Sequence, residues 1–227
     1  MGGDEWSTRP RSLAERVRQG RSIPTSVVSG RRPASPAPAT SRIEAITWAA
    51  TVVADPRAVF LDTETTGLGP DAEVVDVAVV DVLGRVLLDT LVSPHGHIPP
   101  DASRIHGIYD HHVAGAPSWG EVQPRLCEAL AGRMVVVYNA PYDWGVVTGC
   151  DGRWRLASPA PGWTCAMRAY AAFRGEPGQR GGHRWHKLER AVIDCGGQIG
   201  GHRAHGDALA CRWVVLSMAA EGADVPF

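Results

Sequence analysis

The chain has 227 residues, 44% of them hydrophobic, and its 24 acidic and 23 basic side chains leave a net charge of −1. That length suits one α/β domain with a sizeable core plus a tail. No apolar stretch approaches the roughly 18 residues that cross a bilayer, and no apolar secretion signal opens the chain, so the expected location is cytoplasmic. Five cysteines, Cys127, Cys150, Cys165, Cys195 and Cys211, are odd in number and contain no C-x-x-C spacing, so they indicate neither a disulfide framework nor a zinc knuckle.

Residues 1–41 carry seven arginines against Asp4, Glu5 and Glu15, a charge of +4 that leaves −5 on the remainder. They end in RRPASPAPATS, which holds no helix and offers no apolar face, so they read as a disordered basic tail or linker. An arm that touches nucleic acid, a polymerase or another partner fits this composition, and so does an unstructured extension. The folded domain is expected over residues 42–227. Ser41, a good N-cap, with Ile43, Ile46 and Ala50 after it, predicts a short helix.

Ala58 to Asp62 predicts a first, buried strand inside the segment FLDTETTG. Positions two apart on a strand share a face, so Asp62 and Glu64 project together, as a grip for a divalent cation requires. The Thr65-Thr66-Gly67 that follows lets backbone N–H groups approach a ligand's oxygens. An acidic pair at a strand end reads equally as a solvated turn and needs partners elsewhere.

Val74 to Leu83 and Arg85 to Val92 are β-rich runs that predict a hairpin around Gly84. Residues 118–132 predict a helix capped by Ser118 and stopped by Gly132, with Pro124 near its first turn. Met134 to Tyr138 is a second buried strand, and Asn139-Ala140-Pro141 starts the helix that carries Asp143. A carboxylate in a first turn is also explained by the helix dipole alone, at about 0.3 to 1 kcal/mol. Further helices are expected over Thr164–Phe173, Lys187–Cys195 and Asp207–Ala220. A hairpin followed by alternating helices and strands predicts an α/β fold, a mixed sheet with helices on its faces.

Asp207, Cys211, Val214, Val215 and Met218 share one helix face, which puts Asp207 at the end of a stripe bound for the core. A carboxylate buried there needs compensation, and a cation supplies it. His202 is placed on the loop before this helix, and His205 as an exposed loop residue.

FLDTETTG, YNAPYDWGVV and HRAHGDALA, in this order and at these separations, resemble the three motifs of the DEDDh exonucleases, the group that includes the proofreading epsilon subunit of bacterial DNA polymerase III. The likeness spans residues 58–220, and RIHGIYDHHVAGAPSW resembles the His-Gly-Ile segment common between the first two motifs. The resemblance implies an RNase H-like sheet with an antiparallel first hairpin plus parallel strands. It assigns Asp62, Glu64, Asp143 and Asp207 as metal ligands and catalytic carboxylates, and His202 as general base. Such a hard oxygen set suits two Mg²⁺ or Mn²⁺ rather than zinc. In the family, Asp62, Glu64 and Asp207 hold the ion beside the nucleophile, while Asp62 and Asp143 serve the second.

The resemblance further implies 3′ to 5′ hydrolysis of single-stranded nucleic acid from its 3′ end, releasing nucleoside 5′-monophosphates. DNA is favoured, with RNA 3′-end trimming as the alternative. Thr65, Thr66, Gly67 and Leu68 look like the cradle of the terminal nucleotide, with Asn139 and His106 as further substrate contacts; His106 also reads as a loop histidine capping a turn. The Gly-rich stretch bearing Arg174, Arg180, His183, Arg184 and Lys187 reads either as a strand-binding loop or as an ordinary solvated one. The chain stops at Phe227, soon after the last predicted helix, which favours a freestanding enzyme over a polymerase subunit.

Two other classes compete. Haloacid-dehalogenase-like phosphatases also begin with a strand ending in Asp-x-Asp, but Glu64 replaces the second Asp and no acidic motif follows the sole lysine, Lys187. A nuclease-like module that only binds nucleic acid or a polymerase would have no chemical need for all five catalytic residue types.

Overall fold

The computed structural model describes residues 39–159, 162–179, 181–199 and 201–222. The expected tail, apart from residues 39–41, lies outside them.

Helix α1 (Arg42–Ala54) starts where the sequence places it: the Ser41 side chain accepts from the Glu44 N–H at 3.3 Å. It buries Ala45, Ile46, Trp48, Ala49, Val52 and Val53, and at 13 residues it is longer than the short helix expected. Strands β1 (Ala58–Thr65), β2 (Val74–Asp81) and β3 (Val86–Leu91) follow. After them come helices α2 (Pro100–His106), α3 (Asp110–Val113) and α4 (Trp119–Leu130), then β4 (Met134–Val137) and α5 (Ala140–Trp154). The chain finishes with β5 (Thr164–Cys165), α6 (Ala166–Arg174), α7 (Leu188–Asp194) and α8 (Ala204–Ala220). Among the described residues no helix is long and apolar enough to cross a membrane.

The five strands form one mixed sheet in the order β3-β2-β1-β4-β5. The first three pair antiparallel, whereas β4 runs parallel to β1 and β5 parallel to β4, as expected. Strand alternation divides the core. Phe60, Val80 and Val136 pack with α1, α6, α7 and α8, while Val59, Leu61, Val135 and Val137 pack with α4 and α5. At the hairpin, the Asp81 carboxylate accepts from the backbone N–H groups of Leu83 and Arg85, and Gly84 takes a left-handed φ of 82°.

Four boundaries differ from expectation. Strand β1 continues past Asp62 to Thr65 because β2 runs alongside it, opposing Glu64 to Asp76 and, after an irregularity, Thr65 to Val74. Thr164 and Cys165, expected in a helix, are instead drawn into the sheet by β4, opposite Val136 and Val137. Pro124 falls at the sixth position of α4, beyond its first turn, so the Gly120 carbonyl receives no helical N–H there. Helix α8 begins at Ala204, three residues before Asp207, and His205 therefore lies in its first turn rather than in a loop.

Candidate active site

Asp62 and Glu64 leave β1 on the face covered by α8, whose first turns carry Asp207. One carboxylate oxygen from each of these three residues lies within 4.8 Å of the others. Asp143, in the first turn of α5, is 4% exposed and accepts from the Thr63 hydroxyl at 2.8 Å. Its position on the helix thus brings it to β1 from the other face of the sheet.

This crowding shows in the acidities. Burial, then the charges of Asp143, Asp207, Glu64 and Asp76, hold the Asp62 carboxyl well above the usual carboxylate range. Burial, then Asp207, Asp76 and Asp143, pushes Glu64 up to about 8. Burial raises Asp143 to about 7, against the opposing Thr63 hydrogen bond. Asp207 is raised to about 6 by burial, partly offset by His202. Carboxylates gathered out of water repel one another, and a divalent cation is the species that stabilises all of them ionised. The donors are hard oxygens, so the set fits Mg²⁺ or Mn²⁺.

His202 lies on the loop before α8, with its charge acting on Asp207 and on His106. Its backbone takes a φ of 49°, and Nε2 stands 3.8 Å from Glu189 Oε1. His205 Nδ1 instead stands 3.8 Å from Asp89 Oδ2.

The loop after β1 is held by its own side chains. The Thr65 hydroxyl lies 2.5 Å from the Tyr142 hydroxyl, which donates to the Gly67 carbonyl at 2.8 Å. Thr66 is bound to Glu73 at 2.9 Å through both its backbone N–H and its hydroxyl. Leu68 is 89% exposed, and Asn139 is exposed at the start of α5. His106 ends α2, 5% exposed; its Nδ1 accepts from the Ile108 N–H at 3.0 Å. The proton is thereby left on Nε2, 3.3 Å from the Thr65 carbonyl, and burial lowers the ring's pKa.

Two arginines of the Gly-rich basic stretch are paired with acids. Arg174 pairs with Asp194 and Glu176, and Arg184 lies 3.6 Å from Glu176. His183 hydrogen-bonds the Thr40 carbonyl at 2.8 Å, while Arg180 lies outside the described residues. Trp144 meets Trp163 edge to face at 5.1 Å, and Trp185 is exposed.

Sequence reasoning missed Asp76. This residue, 1% exposed and opposite Glu64 on β2, accepts from Arg203 Nε at 2.8 Å and from the Ala204 N–H at 3.3 Å. The signal was a carboxylate in the interior of the run VVDVAVVD, between Val75 and Val77, the same kind of anomaly that marks Asp207.

Residues 59–212 match the exonuclease family RNase_T. The chain is 37% identical over 173 residues to the uncharacterized exonuclease CP81 of Escherichia phage 186, covering 73% of this chain and 89% of that protein. It is 31% identical over 99 residues to DNA polymerase III subunit epsilon of Pasteurella multocida, which covers 39% of this chain and 39% of that subunit. Among solved structures, the nuclease domain of 3′hExo, a DEDDh family member bound to rAMP, superposes with a TM-score of 0.61 at 16% identity, over 74% of this chain and 94% of that one. Exonuclease X in complex with 5′ overhanging duplex DNA gives 0.56 at 24% identity, with the same coverages of 74% and 94%. At such identities the structures establish the shared fold.

Proposed function

The chain belongs to the exonuclease family, and from that premise we propose that it hydrolyses phosphodiester bonds one nucleotide at a time from the 3′ end of single-stranded DNA. The observation that carries this reading is the meeting of Asp62, Glu64 and Asp207 oxygens within 4.8 Å, beside buried Asp143 and next to the His202 loop. Asp62, Glu64 and Asp207 would hold one Mg²⁺ or Mn²⁺, and Asp62 with Asp143 a second. When bound, the ions supply Lewis acidity toward the scissile phosphate and a lowered pKa for the attacking water.

His202, on the loop before α8, would serve as the general base toward the attacking water, a role imidazole suits near physiological pH. The backbone between Thr65 and Leu68 cradles the terminal nucleotide. Leu68, which projects into solvent, presses on its base, and Asn139, exposed at the start of α5, is a further substrate contact. His106 acts from beneath by bracing the Thr65 carbonyl. All five cysteines are free, in keeping with a reducing cytoplasm.

Product analysis tests the proposal. Matched DNA and RNA oligonucleotides, incubated with Mg²⁺ and separately with EDTA, should release nucleoside 5′-monophosphates only with the metal, and faster from DNA. Faster release from RNA would reassign the sugar preference. Hydrolysis of p-nitrophenyl phosphate with intact oligonucleotides would sink the reading altogether.

A further inference from the structure

Asp76 takes no part in the reaction as proposed. It sits within β2, where all eight residues are buried, and Oδ1 has no hydrogen-bond partner among the described residues. An apolar side chain would occupy such a position at lower cost than a carboxylate that is only half satisfied. The other oxygen explains its presence by where it binds. Arg203 and Ala204, its two partners, are the residues that immediately follow His202.

The contact also sets where α8 begins. The Ala204 N–H is one of the helix's free N-terminal donors, and its acceptor comes from the sheet rather than from a local cap. His205, in the same turn, faces Asp89 on β3 at 3.8 Å. His202 is the residue just before this pinned segment, and its left-handed backbone is a conformation that persists when the surroundings impose it. Asp207 is fixed separately, because Ala208, Cys211, Val214, Val215 and Met218 are fully buried and anchor the body of α8.

We propose that Asp76 is a positioning residue for the general base: by binding Arg203 and the Ala204 N–H from β2, it holds the His202 loop against the carboxylate cluster. This rests on the reading of His202 as the base.

A mutant cycle on the full chain tests it, with Asp76→Ala, His202→Ala and the double variant assayed on single-stranded DNA and titrated with Mn²⁺. Asp76→Ala should lower kcat by about 10²-fold, the scale of a small misplacement at a reacting centre. KM and Mn²⁺ affinity should stay near those of the unmodified protein. The double variant should be no slower than His202→Ala alone, because both changes remove one function. Asp76→Asn, which keeps an oxygen for Arg203 and Ala204, should recover most of the turnover.

Losses that multiply in the double variant, or near-normal kcat in Asp76→Ala, would overturn the positioning role and leave the base intact. Near-normal kcat in His202→Ala would instead remove the base assignment, and this proposal with it. If Asp76→Ala does not fold, Arg203→Met removes the same contact from a half-exposed side chain, and undiminished kcat there overturns the proposal equally.

Discussion

The carboxylates of β1, α5 and α8 and the arginines between Arg174 and Lys187 are the two charged regions that stand out in the sequence, and the fold treats them oppositely. Asp62, Glu64, Asp143 and Asp207 are brought together with raised pKa values, through burial at all four and through neighbouring carboxylates as well at Asp62 and Glu64. Arg174 and Arg184 both face Glu176, and Arg174 also pairs with Asp194. Uncompensated buried charge therefore singles out a candidate site better than abundance of charge does. The body's net charge of −5 outside residues 1–41 fits this, since positive potential for a phosphate would come from bound metal.

Four results would break or sharpen the contrast. The largest effect is expected at Asp62: Asp62→Ala should reduce nuclease activity to background. The same change relieves repulsion, so it should stabilise the metal-free protein by about 1 kcal/mol, within the range of stabilising single substitutions. A fall in the unfolding midpoint in EDTA would mean that the cluster is not under electrostatic strain.

His202→Ala should lower kcat by about 10²- to 10⁴-fold, the usual range for a general base. Mn²⁺ titration should show metal binding largely retained. Equal loss of both would make His202 a ligand or a structural residue rather than a base.

A smaller effect should appear in the pH dependence of stability without metal. Glu64, Asp143 and Asp207, near 8, 7 and 6, lie above their ordinary values of 4.5, 3.8 and 3.8. Between these limits the folded protein binds more protons than the unfolded chain, so unfolding free energy falls as pH rises. The penalty is absent below about pH 4 and complete above about pH 8. Thermal melts in EDTA should therefore show a midpoint falling across that window, and Mg²⁺ should flatten the fall by favouring the ionised forms. A midpoint that rises with pH in EDTA would contradict the raised pKa values.

The smallest change is expected in the basic stretch. Arg184, paired at long range and largely exposed, should contribute no more than the roughly 1 kcal/mol of a surface ion pair, and Arg184→Ala should leave KM for an oligonucleotide nearly unchanged. A large KM increase, relieved at low salt, would return this loop to the strand-binding role.

Much of the sheet and its carboxylates was legible because it follows short-range periodicity. The two-residue spacing of Asp62 and Glu64 and the helical stripe below Asp207 each carry their own signal. What escaped depends on partners distant in the chain. Strand β5 is two residues long and exists through pairing with β4. The start of α8 is set by Asp76, 128 positions before Ala204, where a local reading finds no cap. The neutralisation of Arg174 likewise depends on Asp194, 20 residues later. His106 drew notice in the sequence both as a substrate contact and as a loop histidine, but its burial and its contact with the Thr65 carbonyl, 41 residues earlier, were not legible.

The most direct measurement uses 5′-labelled single-stranded DNA with Mg²⁺ at neutral pH, for the unmodified chain beside Asp62→Ala. A metal-dependent ladder that shortens from the 3′ end with the former and is missing with the latter is the result predicted. Full-length strand after prolonged incubation with the unmodified chain, or an equal ladder from Asp62→Ala, would contradict the assignment of the buried carboxylates as the catalytic centre.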